Sequence, residues 1–180
     1  MRIIGVVIFM IVILLFFLLC VKLGMFLMRK RAFPSKLLVI TLAGIVIVSF
    51  IYMYEMYFFT FDRIDRERMQ NGPGPIESPS GRYTANAYYE PYGGAAGGVN
   101  VWVEITDHDH QGARKTIYYG NGLSEVDLEW IGDDSLFIQN ESSGIHKSKE
   151  LNVKTEIYHG TGLACQSLVM KDTYETCYSD

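Results

Sequence analysis

The fold of this chain is decided by Met28-Arg29-Lys30-Arg31-Ala32-Phe33-Pro34-Ser35-Lys36, a basic stretch that separates two long apolar runs. Residues 3–28 carry a single charged side chain, Lys22, and residues 37–54 carry none. A helix needs roughly 20 apolar residues to cross the hydrocarbon core of a bilayer. The two runs therefore predict a hairpin of two transmembrane α-helices, at 3–28 and 37–61, joined by a basic turn at 29–36.

A secretory signal peptide is the alternative interpretation of the first run. Such a signal has an apolar core of about 7–15 residues, followed by a cleavage site with small residues. The run here is longer, and no site of that kind follows it. The second run ends in an aromatic cluster, which is typical of a helix that leaves the bilayer at the headgroups. Both features favour membrane spans.

The orientation of the hairpin depends on the basic residues on its two sides, because cytoplasmic loops are enriched in Lys and Arg. The turn side carries five of them and the opposite side carries four: Lys22, Arg29, Lys30, Arg31 and Lys36 against Arg2, Arg63, Arg66 and Arg68. The acid-free block at 29–31 favours the turn inside the cell. We therefore predict a multi-pass protein of the cell membrane whose C-terminal domain is extracytoplasmic.

The charge is divided unevenly along the chain, and this limits the class of partner. Up to Phe61 the chain has six basic residues and one acid, whereas from Asp62 it has ten basic and nineteen acidic residues. An acidic domain repels polyphosphate, so we expect no nucleic acid as a partner. The loop at 93–98 lacks the motifs of nucleotide-binding loops, so neither a nucleotide nor another cofactor is expected. The expected partners are the lipid bilayer and, as a second candidate, another membrane or envelope protein.

Residues 62–79 are predicted to be a juxtamembrane segment and linker, because two glycines and three prolines in 71–79 prevent a helix from continuing. Strand patterns begin after this linker. In the clearest one, Val99-Asn100-Val101-Trp102-Val103-Glu104-Ile105-Thr106, apolar and polar residues alternate. Weaker strand patterns follow between turns, at residues 82–89, 114–119, 125–130, 136–138 and 150–157. The sequence thus predicts a small, mainly antiparallel β domain at 80–180, a meander of four to six strands.

Cys165 and Cys177 are the cysteines of this predicted domain. An even number of cysteines is compatible with one disulfide, which requires an oxidising compartment. We interpret the pair as a structural disulfide that fixes the poorly patterned tail. A redox or metal-binding pair is the functional alternative.

Two groups of residues are candidate sites. Asp107, His108, Asp109 and His110 combine ligand types that suit zinc, although consecutive residues at a hairpin tip point apart and favour a solvated turn. Tyr and Trp are good anchors for a binding partner. We expect them on the sheet surface at Tyr88, Tyr89, Tyr92 and Trp102.

Three hypotheses follow for the function. The first is a non-enzymatic envelope protein whose domain binds another protein or an envelope component, because the sequence lacks an obvious catalytic motif. The second is a metal-dependent enzyme or metal sensor that uses the cluster at 107–110. The third is a structural subunit of a larger membrane complex, in which the hairpin makes the contact.

Two resemblances add to this interpretation. Ser78-Pro79-Ser80-Gly81-Arg82-Tyr83, with Leu128-Glu129-Trp130 and Asp134-Ser135-Leu136, resembles a single blade of a propeller repeat, with Ser80 in place of the usual Asp. The domain also resembles an uncharacterised family of small membrane-anchored proteins from Gram-positive bacteria. That likeness is carried by the segments 87–103 and 158–172, together with Cys165 and Cys177. It implies no activity, but it implies a bacterial cell membrane as the location.

Overall fold

The computed structural model describes residues 2–29, 32–61, 64, 66, 69–94, 97–122, 126–142 and 145–180. The chain divides into two compact units, Met1–Met56 and Tyr57–Asp180. Several residues used in the sequence predictions lie outside the described residues: Lys30 and Arg31 of the basic turn, and Arg63 and Arg68 of the juxtamembrane segment.

The first unit contains the two predicted helices. In its described part, α1 spans Arg2–Arg29 and α2 spans Ser35–Tyr57. Both are apolar on all sides, and their segments Gly5–Met28 and Ser35–Tyr57 are long and apolar enough to cross a membrane, by length and composition. The helix α2 begins directly after Pro34, whose carbonyl accepts a hydrogen bond from the amide of Leu38 at 3.0 Å. It ends at Tyr57, four residues before the predicted end.

The second unit is built on a large mixed sheet. Over the described residues, seven strands form it, in the order β1-β3-β4-β5-β11-β12, with β2 also paired to β3. The central pairs are antiparallel, whereas β11 runs parallel to both β5 and β12. The bounds of these strands are β1 (Gln70–Asn71), β2 (Ile76–Glu77), β3 (Tyr83–Tyr92), β4 (Gly98–Asp107), β5 (Ala113–Gly122), β11 (Glu156–His159) and β12 (Thr176–Tyr178).

A smaller antiparallel sheet packs on one face of the large one. Over the described residues it has three strands, in the order β10-β7-β6, and a short hairpin of β8 and β9 follows β7. We call the covered face of the large sheet its inner face. Tyr83 of that face stacks on Trp130 of the small sheet, with 6.2 Å between the ring centroids. The bounds here are β6 (Asp127–Trp130), β7 (Ser135–Gln139), β8 (Glu141–Ser142), β9 (Ile145–His146) and β10 (Lys149–Asn152).

The apolar core lies between the two sheets. Val101 and Val103 of β4, with Leu136 and Leu151 of the small sheet, are completely buried there. The alternation read from residues 99–106 is therefore real, because its odd-numbered residues face this core. The prediction of a hairpin of apolar helices followed by a mainly antiparallel β domain is confirmed.

The predicted linker has a different structure from the one expected. Its residues 70–71 and 76–77 are strands that pair with the edge of β3. The amide of Gly72 donates to the carbonyl of Ala87, and the amide of Ala87 donates to the carbonyl of Pro73, at 2.9 and 2.8 Å. Proline is tolerated at a sheet edge because it needs no partner for a missing N–H. A segment rich in Gly and Pro can therefore extend the sheet without continuing a helix.

The connectivity also departs from a simple meander. After β10 the chain returns to the large sheet, where β11 lies parallel to β5. The tail then forms α3 (Leu163–Gln166) and β12. A disulfide joins Cys165 of α3 to Cys177 of β12, with 5.4 Å between their Cα atoms. It fastens the last strand to the short helix before it.

Candidate functional site

The outer face of the large sheet carries an aromatic cluster that includes the chain just after α2. We call Phe59, Phe61, Trp102, Tyr119 and His159 the outer cluster, and residues 57–61 the cover segment. The His159 ring centroid lies 4.9 Å from that of Phe59, 5.3 Å from that of Phe61 and 4.7 Å from that of Tyr119. Trp102 completes the cluster, with its ring centroid 4.3 Å from that of Tyr119. The cover segment thus packs on strands β4, β5 and β11.

Burial determines the charge state of the histidine in this cluster. His159 is buried, and the loss of hydration lowers its pKa to about 4. Its Nδ1 lies 3.2 Å from the hydroxyl of Thr161. Its other ring contacts are aromatic. At neutral pH the ring is therefore uncharged and acts as a packing surface.

Ser167 holds the cover segment in place by hydrogen bonding. It is completely buried, and its hydroxyl donates to the carbonyl of Phe59 at 2.6 Å. The amide of Leu168 donates to the carbonyl of Tyr57 at 2.8 Å. The second bond satisfies the carbonyl of the last helical residue, which the helix itself leaves without a partner. Both bonds hold the residues that follow α2 in place.

A charged cavity lies beside the outer cluster. Its volume is roughly 170 Å³, and its lining is formed by Phe61, Ile64, Arg66, Glu104, Arg114 and Thr116. Glu104 is buried and pairs with Arg66, and its Oε1 lies 3.9 Å from Nε of Arg114. The hydrogen bond to Glu104 raises the pKa of the Arg66 guanidinium. A buried carboxylate needs such partners. Its pairing with Arg66 ties the juxtamembrane segment to β4.

The four aromatic residues predicted as a binding surface do not share one face. Tyr88 and Trp102 are direct partners across β3 and β4, and Tyr92 follows on the same outer face, 45% exposed. Tyr89 lies on the opposite face, where its hydroxyl accepts a hydrogen bond from the amide of Val126 at 3.2 Å. Alternation along a strand separates residues 88 and 89, and this rule could have been applied to the sequence.

Two polar residues complete the outer group. The Oε2 atom of Glu90 accepts hydrogen bonds from Nδ2 of Asn100 and Nε1 of Trp102, at 3.2 and 3.4 Å. Both residues are half-buried. The combination of aromatic rings and hydrogen-bonding groups suits protein recognition. We call this set of Tyr88, Glu90, Tyr92, Asn100 and Trp102 the tyrosine–tryptophan surface.

The predicted metal cluster forms the turn between β4 and β5, and its four side chains do not converge on one point because His108 has a separate partner. The Nε2 atom of His108 lies 2.7 Å from the Thr84 hydroxyl, away from the carboxylates. The guanidinium of Arg82 contacts both Asp107 and Asp109, at 3.2 and 3.1 Å. Among the described residues, no group of three or more His, Cys, Asp or Glu side chains could hold a metal ion. The arginine thus takes the position of a cation at this turn.

The pKa of Asp107 reflects this arrangement. Partial burial acts to raise it, but the hydrogen bond from Arg82 and the contact with His110 outweigh burial and lower the pKa to about 2. The Nδ1 atom of His110 lies 2.9 Å from the carboxylate. Asp107 is therefore ionised at neutral pH and stabilises the turn. It also accepts a hydrogen bond from the backbone amide of Asp109 at 3.0 Å.

Comparison with known proteins identifies the family. The family described as Family of unknown function (DUF5412) matches residues 30–161. The chain belongs to this family. The match confirms the resemblance to an uncharacterised family that was drawn from the sequence. No curated protein and no solved structure matches the chain.

The part of the chain matched to the DUF5412 family includes α2, the cover segment and every residue of the outer cluster. It ends before Ser167 and before the two disulfide cysteines. The origin of the chain in Gram-positive bacteria stays a prediction. The segments that resemble a propeller blade belong to two sheets, since Tyr83 is in β3 and residues 128–136 are in β6 and β7. They do not form one four-stranded blade.

The sequence did not indicate the outer cluster. Phe59 and Phe61 were assigned to the end of a helix, and His159 stood alone in the sequence. One signal was available: residues two apart in an extended segment point to the same side, which places Phe59 and Phe61 together. Nothing local indicated that Ser167, more than one hundred residues later, donates a hydrogen bond to the carbonyl of Phe59.

Proposed function

We propose that this chain is a multi-pass protein of the cell membrane whose β domain lies outside the cell and binds another membrane or envelope protein without catalysing a reaction. Two observations support this proposal: one concerns the membrane anchoring and the other the location of the domain. The helices α1 and α2 have the length and composition of membrane spans. The disulfide between Cys165 and Cys177 suits an oxidising compartment, which is found outside the cytoplasm.

The observation that carries the binding function is the tyrosine–tryptophan surface. Tyr92 is exposed, and Tyr88 and Trp102 are partly exposed beside it. Large aromatic side chains supply much of the energy at protein interfaces, and they lose little rotamer entropy on binding. Glu90 and Asn100 add hydrogen-bonding groups that give such a surface direction. A partly exposed tryptophan that is surrounded by polar groups is a typical anchor for a binding partner.

The orientation can be tested by labelling thiols on intact cells. The full chain with Cys20→Ala leaves Cys165 and Cys177 as its thiols. A membrane-impermeant thiol reagent is added with and without a reductant that does not cross the membrane. Labelling that requires the external reductant supports an oxidised pair outside the cell. Thiols that react only after lysis would place the domain in the cytoplasm.

The binding function can be tested by photo-crosslinking in cells. A photoreactive amino acid is placed at Tyr92, and a matched one is placed at Ile131, an exposed residue in the turn between β6 and β7. We expect a discrete adduct from position 92 and none from position 131. The charge reversal Glu90→Lys should lower the yield of the adduct from position 92 about tenfold, if the substitution removes about 1.4 kcal/mol of binding energy. Equal adducts from both positions, or an adduct insensitive to Glu90→Lys, would contradict the proposal.

A further inference from the structure

We propose that Leu168 and Val169, in the loop after α3, insert into the headgroup region of the bilayer. The β domain then has a second membrane contact besides the chain that leaves α2. This inference rests on the membrane part of the proposed function. The lipid surface is thus the partner of the apolar patch that Leu168 and Val169 form.

The loop presents two adjacent apolar side chains to solvent. Leu168 is 54% exposed and Val169 is 49% exposed, whereas the flanking residues Ser167 and Met170 are buried. The hydroxyl of Ser167 accepts a hydrogen bond from the amide of Val169 at 3.3 Å. The loop is thus fixed at both ends, and its two exposed side chains are held in place. Exposed apolar side chains that are held in this way can contact lipid or protein.

The depth of the loop follows from its hydrogen bond to Tyr57. The helix α2 has 23 residues. At about 1.5 Å per residue it is roughly 35 Å long, slightly more than the ~30 Å hydrocarbon core. If α2 crosses the bilayer, Tyr57 at its last turn lies at the headgroups. The amide of Leu168 is 2.8 Å from the carbonyl of Tyr57, so the loop lies at the same depth.

The residues around this contact match an interfacial environment. Tyr52, Tyr54 and Tyr57 occupy the last two turns of α2, and Phe58 next to them is also exposed. Aromatic residues concentrate where a helix passes from hydrocarbon to headgroups. The amide of Leu168 bonds to the carbonyl of Tyr57, so the loop lies beside the last residue of this belt. This continuity favours lipid as the occupant over a second copy of the chain or another protein.

The proposal can be tested with fluorescent labels in vesicles. The full chain with Cys20→Ala is reconstituted without reductant, so that the disulfide stays intact. An environment-sensitive label is attached to Val169→Cys. A matched control carries it at Ile131→Cys, which is similarly apolar and 56% exposed. A third protein carries it at Ser49→Cys in α2 and reports on the anchor. The vesicles contain phosphatidylcholine and phosphatidylglycerol, with nitroxide spin labels either on the headgroup or deep in the acyl chain.

We expect the label at position 169 to shift to shorter wavelength and to lose intensity with the headgroup nitroxide. The label at position 131 should show neither effect. If position 169 is no more quenched than position 131 while position 49 is quenched by the deep nitroxide, the inference is overturned and the anchor stands. If position 49 is not quenched, the membrane part of the proposed function fails as well. A shift to shorter wavelength without quenching by lipid would show that protein covers the loop, and this would also overturn the inference.

Discussion

The two faces of strand β4 have different roles, although their residues alternate along one strand. Val101 and Val103 point inward to the apolar core between the two sheets. Trp102 and Glu104 point outward, where the residues covering them come from the chain just after α2. The inner face is closed by the small sheet, which belongs to the same domain. Part of the outer face is covered by the segment through which the domain is attached, and the tyrosine–tryptophan surface beside it stays open.

The inner face therefore determines the stability of the domain, whereas the outer face determines how firmly the cover segment is held. A substitution on the inner face should weaken the whole domain, because both sheets share that core. A substitution on the outer face should first loosen the cover segment. The two tryptophans report on the two faces, since Trp130 lies against the inner face and Trp102 belongs to the outer cluster. In the full chain in mild detergent, unfolding can therefore be followed through tryptophan fluorescence.

The largest effect is expected on the inner face. Leu136 is completely buried between the sheets. Leu136→Ala removes its contacts and leaves a cavity, and we expect a loss of about 2–5 kcal/mol in the free energy of unfolding. The exposed residue Ile131 is the matched control, and Ile131→Ala should change the free energy by less than about 0.5 kcal/mol. Similar losses for both variants would contradict the assignment of the core.

The next effect is a loss of stability at acid pH, and its cause is the buried histidine of the outer cluster. The pKa of His159 is about 4 in the folded protein against an ordinary value of 6.5. The unfolded chain therefore binds a proton first as the pH falls. The neutral ring is fully compatible with folding above pH 6.5, and stability is lost between 6.5 and 4. The loss amounts to up to about 3 kcal/mol.

The measurement compares urea unfolding at several pH values across this window. His159→Gln keeps a polar side chain but removes the titration. We expect the variant to be less stable at neutral pH and to have a flatter dependence of stability on pH. Since carboxylates also contribute on the acid side, the difference between the two proteins is the quantity that matters. A pH dependence unchanged by the substitution would place the titrating group elsewhere.

A smaller effect is expected from the bond that holds the cover segment. Ser167→Ala removes the donor to the carbonyl of Phe59 and should cost about 1–2 kcal/mol. A probe near Trp102 should report unfolding at a lower denaturant concentration than a probe near Trp130. Ser179, which is exposed, provides the matched control Ser179→Ala. If the environments of both tryptophans respond equally, the cover segment does not loosen before the rest of the domain.

The smallest effect on folding is expected at the turn between β4 and β5. Arg82→Gln removes the guanidinium that lowers the pKa of Asp107. The pKa of Asp107 should then rise from about 2 toward 3.8, and NMR titration of the carboxyl carbon measures this directly. The stability that the lowered pKa provides is present above 3.8 and is lost as the pH falls through the folded value. An unchanged pKa in Arg82→Gln would show that His110 and the backbone amide of Asp109 are responsible instead.

Much of this fold follows from patterns in the sequence. The charge-free runs predict α1 and α2, because only apolar helices of that length have such composition. The alternation at 99–106 predicts β4 and the face of each of its residues. Residues in the turns, such as Gly112 with its φ of 73°, mark the hairpins. These signals are local, and each depends on neighbours within a few residues.

The parts that could not be predicted depend on distant pairs. Strand β11 pairs in parallel with β5, and no pattern in either strand specifies that partner. The outer cluster joins residues 59, 102, 119 and 159, which are apart in sequence and have ordinary composition. The sequence offered Tyr89 as part of a binding surface because its composition resembles that of Tyr88. Only the register of β3 shows that the two side chains lie on opposite faces.

The bond between Ser167 and Phe59 also has a consequence for the order in which the protein is made. It joins residues 108 positions apart. The cover segment is synthesised before any strand of the domain, yet its partner comes after all but one of the described strands. The carbonyl of Phe59 therefore stays without this partner until the chain has been made as far as Ser167. Contacts this distant in sequence form slowly, so we expect this bond to form late in folding.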